Sequence, residues 1–132
     1  MRTPVFLTLA EVIAIHADQI QQYGGQGGVR DLGLLESAIA QPEASYGGAW
    51  LHHDLYAMAA AYAFHVCQNH PFYDGNKRVA LVCALMFLRF NGVTTIPDPR
   101  RQLKDAMLRI ASGQMTKQEF AELLRRLSKS RS

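Results

Sequence analysis

Charge is missing where this sequence is most apolar. No Asp, Glu, Lys or Arg occurs from Leu55 to Tyr73, and none from Val79 to Leu88. Cysteine is scarce as well. Cys67 and Cys83 each sit in an apolar run without Cys-x-x-Cys or framework spacing, which argues against a disulfide scaffold and for a reducing compartment. His52, His53, Cys67 and His70 lack a recognised ligand spacing, so zinc is not expected. The run Val79–Leu88 is far short of the ~20 apolar residues that cross a bilayer. The apolar patch after Arg2 is broken by Pro4 and Glu11, which does not read as a signal peptide. Repeats, low-complexity segments and a convincing strand are all lacking. The expectation is a cytoplasmic protein with no membrane partner, built as one domain over residues 1–132.

The net charge of +3 over 132 residues is unevenly spread. Nine of the basic residues and three of the acidic ones follow residue 99. Such a tail can meet nucleic acid or an acidic partner, but a solvated helix face is the simpler reading. Direct nucleic-acid binding is not expected.

Helical punctuation is clear along the chain. Thr8 and Glu11 form a capping box, and Leu9, Val12, Ile13, His16 and Ile20 keep a helical period until Gly24-Gly25. His16 reads as a structural residue on a mixed surface. Asp31 caps a helix from Leu32 to Ala40 that Pro42 stops. Residues 43–53 read as a loop or short hairpin. Asp54 caps a helix to about Asn69, and a second runs from Asn76 to Phe90 with Asn91-Gly92 as its end. Both are apolar nearly all round, so both should be buried. His65 reads as a satisfied core histidine. Asp98 and Pro99 read as N-cap and first residue of a helix to about Ala111. Thr116 and Glu119 form a second capping box, for a helix to about Leu127, and 128–132 reads as a frayed basic tail. The fold class is all-α: a compact bundle of about six helices around a central buried helical hairpin.

The tip of that hairpin is His70-Pro71-Phe72-Tyr73-Asp74-Gly75-Asn76-Lys77-Arg78. Pro71 and Gly75 break the helices. Three charges stand alone there between apolar runs, which costs several kcal/mol unless they are paired or used. Gly75 permits close backbone approach, Asn76 is a good N-cap, and the following helix start is an anion site. Lys77 and Arg78 oppose the helix dipole unless an anion arrives. Asp74 is a hard oxygen ligand suited to Mg²⁺ held with substrate phosphates. His70 is a candidate general base. Nucleotide phosphate chemistry and a capped helix start with a structural histidine are equally compatible with the spacing alone.

The motif His-x-Phe-x-Asp-Gly-Asn-Lys-Arg resembles the core of the Fic/Doc family, closest to the Doc (death-on-curing) branch. The Fic branch carries Gly-Asn-Gly-Arg and a second Arg three positions on, where this chain has Lys77 and Leu81. Two further blocks are similar to Doc: Gly24-Gly25 with Gly28-Val29-Arg30-Asp31-x-Gly33-Leu34-Leu35-Glu36-Ser37-Ala38 and Pro42, and Ala84-Leu85-x-Phe87-Leu88-Arg89-x-Asn91-Gly92. The resemblance covers about residues 8–92.

It implies the toxin of a toxin–antitoxin pair, a kinase moving phosphate from ATP to a Ser or Thr hydroxyl of elongation factor Tu and arresting translation. His70 then takes the hydroxyl proton, and Asp74 holds Mg²⁺ or orients the hydroxyl. Gly75, Asn76, Lys77 and Arg78 hold phosphates, and Phe72 anchors the loop. The 43–53 stretch corresponds to a flap beside the active site, with Trp50 either part of it or a core plug. Two alternatives stay open: Fic-type transfer of AMP to a protein hydroxyl, and a non-enzymatic helical binding protein. Thr8, Ser37, Ser45, Thr94, Thr95, Ser112 and Thr116 all lack a Glu four residues on, so the Fic self-inhibitory helix is not found. The resemblance therefore implies an antitoxin supplied by another chain.

Overall fold

Two helices with almost no polar face lie at the centre: α3 (Leu55–Asn69) and α4 (Asn76–Phe90). In this computed structural model, which describes residues 3–129, they pack as a hairpin joined by the motif loop. The alanine run of α3, Ala59 to Ala63, is fully buried and lets α4 come close. Around the pair stand α1 (Leu9–Tyr23), α2 (Leu32–Ala40), α5 (Gln102–Ala111) and α6 (Lys117–Lys129). This is the all-α bundle that the periodicity predicts. No described helix is long and apolar enough to cross a membrane.

The caps of α1, α3 and α6 fall where the sequence puts them. Thr8 Oγ1 accepts from Glu11 N at 3.1 Å, and Glu11 Oε1 accepts from Thr8 N at 2.8 Å. The same exchange joins Thr116 and Glu119 at the start of α6. Asp54 accepts from Ala57 N at 2.7 Å, and its carboxylate also receives both Nε and Nη2 of Arg125 from α6. One residue thus starts α3 and docks α6 on it. At the far end, Asn91 closes α4 and exchanges two hydrogen bonds with the backbone of Val5, tying the incoming chain to the hairpin's base.

Four expectations are corrected, and one left open is decided. Asn76 does not cap α4: Gly75 occupies that position at φ 78°, and Asn76 is the buried first helical residue. α5 begins at Gln102, not Pro99, because the Asp98 carboxylate reaches over an intervening turn to Gln102 N and Leu103 N. Residues 43–53, left open as a loop or a short hairpin, form the hairpin, with two-residue strands β1 (Ser45–Tyr46) and β2 (Ala49–Trp50). Trp50 is half-buried there, its ring 5.4 Å from that of Phe6. His16 is not on a mixed surface but 3 % exposed. α6 runs on to Lys129, so of the expected frayed tail only 130–132 lie outside the described residues.

A second polar cluster fastens α6. Lys117 Nζ lies 3.0 Å from His52 Nε2 and 3.0 Å from His65 Nε2. His65 is therefore partnered, as expected. Burial lowers all three, and the Lys117 charge presses further on both imidazoles, with His65 brought to about 4. His52 Nδ1 is buried and feels the Gln41 carbonyl without hydrogen-bonding geometry.

Candidate active site

The motif loop is held from below and from one side. From below, α1 brings the His16 ring flat onto the Phe72 ring, centroids 3.9 Å apart and planes at 5°. His16 Nε2 also donates to the Asp74 carbonyl at 2.9 Å. Phe72 is fully buried. The Asn76 side chain closes the loop on itself, accepting from Phe72 N at 3.0 Å and donating to Phe72 O at 2.9 Å. Those two bonds tie the amide to the Phe72 backbone.

From the side comes the glycine-rich segment between α1 and α2. Pro71 O accepts from Arg30 N at 2.7 Å and Asp31 N at 3.1 Å, and Val29 bridges Phe72. Gln26 N donates to Asp74 Oδ2 at 3.2 Å, while Gly75 N donates to Oδ1 at 2.9 Å. The closeness explains the glycines. A Cβ on Gly25 would stand 2.7 Å from Asp74 Oδ2, nearer than packed atoms tolerate. The sequence presents this segment as a helix terminator, and the structure makes it half of the site's frame.

Beside the loop opens a cavity of about 730 Å³, within the range of small-molecule sites. His70, Asp74, Gly75, Asn76, Lys77 and Arg78 all line it, so the fold brings every polar residue singled out in the motif to one place. Lys104 joins them from α5, and Leu81, Met107, Leu108 and Ala111 supply an apolar wall. Three of the lining side chains are Lys or Arg, and Asp74 is the one carboxylate.

None of the three cations makes an ion pair among the described residues. Lys77 and Lys104 are exposed and make no described hydrogen bond or ion pair. Arg78 sits 5.3 Å over the Tyr23 ring and reaches Gly24 O at 3.4 Å, with its Nε buried and unpartnered. No side chain caps α4, so its first-turn N–H groups face the same region. A dianionic or polyanionic group would satisfy all of these at once.

Asp74 is fit to be the ionised member. The Gln26 and Gly75 N–H groups hold its carboxyl below the usual range, with smaller help from Arg78 and His16. It is therefore an anion at neutral pH, able to hold a hard cation but not to donate a proton. His70 is exposed at the end of α3 and lines the same cavity. Cys67 also lines the cavity, but burial pushes its thiol up, away from nucleophilic use.

His16, Gln26, Arg30 and Lys104 were missed as site residues. His16 carried a signal only in hindsight of packing: it shares the buried face of α1 with Val12 and Gln19. Lys104 carried none, since it lies 26 positions beyond Arg78 on a helix whose placement only packing fixes.

Similarity to known proteins agrees with this geometry. Residues 6–88 match the Fic/DOC family model. The chain is 38% identical over 117 residues to a protein described as protein kinase doc from Escherichia phage P1, covering 89% of this chain and 90% of that one. It is 42% identical over 76 residues to a protein described as toxin Doc from Mycolicibacterium smegmatis, covering 58% of each. With a family match across most of the chain and relatives named for Doc, this protein belongs to the Fic/Doc family, on its Doc side.

Proposed function

We propose that this chain is the toxin of a toxin–antitoxin pair and acts as a protein kinase. It moves the γ-phosphoryl group of ATP to a serine or threonine hydroxyl of a translation factor, with elongation factor Tu as the implied target. The observation that carries the reading is the charge arrangement of one cavity. Lys77, Arg78 and Lys104 stand there without a described ion pair, beside His70 and an ionised Asp74. The P1 relative's description as a protein kinase supports phosphoryl transfer.

The roles follow from the groups. His70 accepts the proton of the attacking hydroxyl as the new O–P bond forms, and ADP departs with the old one. General-base assistance of this kind is worth on the order of 10²–10⁴ in rate. Lys77, Arg78 and the first-turn N–H groups of α4 hold phosphate oxygens. Positioning and charge stabilisation are the main demands of phosphoryl transfer. Asp74 fits Mg²⁺, since it is an ionised oxygen ligand next to the phosphate cradle, and the metal would offset charge on the phosphates. The apolar wall of Leu81, Met107 and Leu108 suits the nucleotide's base. Lys77 and Leu81 also stand where AMP transfer by Fic enzymes uses a glycine and a second arginine, which favours the kinase.

Inhibition falls to a partner. A disordered antitoxin segment folding as a helix beside the motif, against α1 and residues 43–53, suits a sequence in which the Fic inhibitory motif is not found. The test is incubation with elongation factor Tu and ATP labelled on either the α- or the γ-phosphate. Label from the γ-phosphate alone, with a phosphate-sized mass gain, supports the kinase. Label from the α-phosphate, with an AMP-sized gain, replaces it with adenylyl transfer. No gain with a toxic, folded protein rejects both for this target.

A further inference from the structure

His70 stands in a backbone conformation that its own chemistry disfavours. It closes α3 at φ 51° and ψ 54°, one of two described non-glycine residues at positive φ. That conformation crowds a side chain's Cβ against the backbone. It also turns the chain so that Pro71 and Phe72 enter the core while the imidazole stays at the cavity. Something outside α3 has to hold it.

The side-chain groups that reach the carbonyls of this turn belong to Arg30. Arg30 Nε donates to the His70 carbonyl at 2.9 Å, and Arg30 Nη2 to the Asn69 carbonyl at 3.3 Å. These are two of the carbonyls that a helix C-terminus leaves without partners. The guanidinium also brings positive charge to the negative end of the helix dipole. Arg30 forms no ion pair among the described residues. Its described side-chain hydrogen bonds both go to the turn that carries His70.

We infer that Arg30 is a positioning residue for the reaction: its guanidinium fixes the left-handed turn at His70 and so aims the imidazole at the attacking hydroxyl. The inference rests on the kinase reading for its catalytic consequence but not for its structural content. Arg30 acts through backbone carbonyls and does not touch the substrate. The rest of the frame stands without the side chain. The backbone N–H groups of residues 30 and 31 still hold Pro71 O, and Asp31 still caps α2 through Leu34 N at 3.0 Å.

The test compares Arg30→Gln and Arg30→Lys in the full chain. Phosphorylation kinetics and the NMR resonances of the His70 amide and imidazole are measured for each. For Arg30→Gln, kcat should fall on the order of tenfold or more, as expected when a reacting group is misplaced. KM for ATP should stay within about twofold. The His70 resonances should shift or split, while those of the α4 core keep their positions. Arg30→Lys, which keeps the charge and can still donate to both carbonyls, should recover most of the loss. Unchanged His70 resonances in Arg30→Gln overturn the inference, whatever the activity. So does a kcat equal to wild type in an active enzyme, or a loss that simply follows melting temperature. If wild type transfers no phosphate, the kinase reading fails, and the His70 resonances decide on Arg30 by themselves.

Discussion

The imidazole of His16 lies parallel to the ring of Phe72 and, through Nε2, holds the carbonyl of Asp74 at 2.9 Å. One side chain of α1 thus fixes both the buried and the exposed halves of the motif loop. His16→Ala should leave an unfilled site under Phe72 and an unpaired carbonyl, a loss of about 1–3 kcal/mol. Activity per folded molecule should fall as well, because Asp74 loses its support. Chemical denaturation and a phosphorylation assay on the same preparation check this. Unchanged values in both would remove His16 from the frame.

His70→Ala should keep the fold and lose activity by on the order of 10²–10⁴. The side chain is exposed and makes no described contact that packing depends on. A growth assay at matched expression gives the answer. Toxicity equal to wild type would refute the general-base role.

Lys77→Ala and Lys104→Ala should each weaken ATP binding and leave the melting temperature of the free protein nearly unchanged. Both cations are exposed and unpaired, so little native stabilisation is lost with them. The Lys104 variant is the sharper test, since its place in the cavity comes from α5 and not from the motif. Calorimetric titration with ATP measures the effect. If Lys104→Ala binds ATP like wild type, α5 supplies only the apolar wall.

Acid should destabilise the protein through the His52–Lys117–His65 cluster. Burial first, and then the Lys117 charge, lower both histidines from 6.5, with His65 at about 4. A lowered folded value means that the unfolded chain binds protons first. Stability is then complete above about pH 6.5 and declines as pH falls toward about 4. His53 also faces His52, and Asp54 and Arg125 lie at the same junction of α3 and α6. Urea unfolding at pH 7 and pH 5 should show the loss, and His65→Phe should reduce it. An equal pH dependence in wild type and variant would place the acid sensitivity elsewhere.

Asp54→Ala should cost stability and spare function. It removes an N-cap, worth about 0.5–2 kcal/mol, and both partners of the Arg125 fork. Asp54 does not line the cavity. Thermal melting together with specific activity per folded molecule checks both halves. A large activity loss at unchanged stability would contradict the separation.

The sequence by itself determined the helices, the caps of four of them and the motif. Thr8 with Glu11, Asp31, Asp54 and Thr116 with Glu119 are local devices, each satisfied within three or four residues, so they are legible without a fold. The uncharged runs of α3 and α4 could only be buried, and that put the motif at the tip of a central hairpin. Tertiary structure decided what short-range rules cannot see. Asn76 left the cap position because Phe72, once buried, needed its two backbone groups satisfied. His16 became a pillar because α1 packs under the loop. Lys104 entered the cavity because α5 closes it, and Arg30 reached His70 across 40 residues of chain. These contacts join distant segments, and the energy that selects them comes from packing the bundle as a whole, not from any stretch of sequence that could announce it.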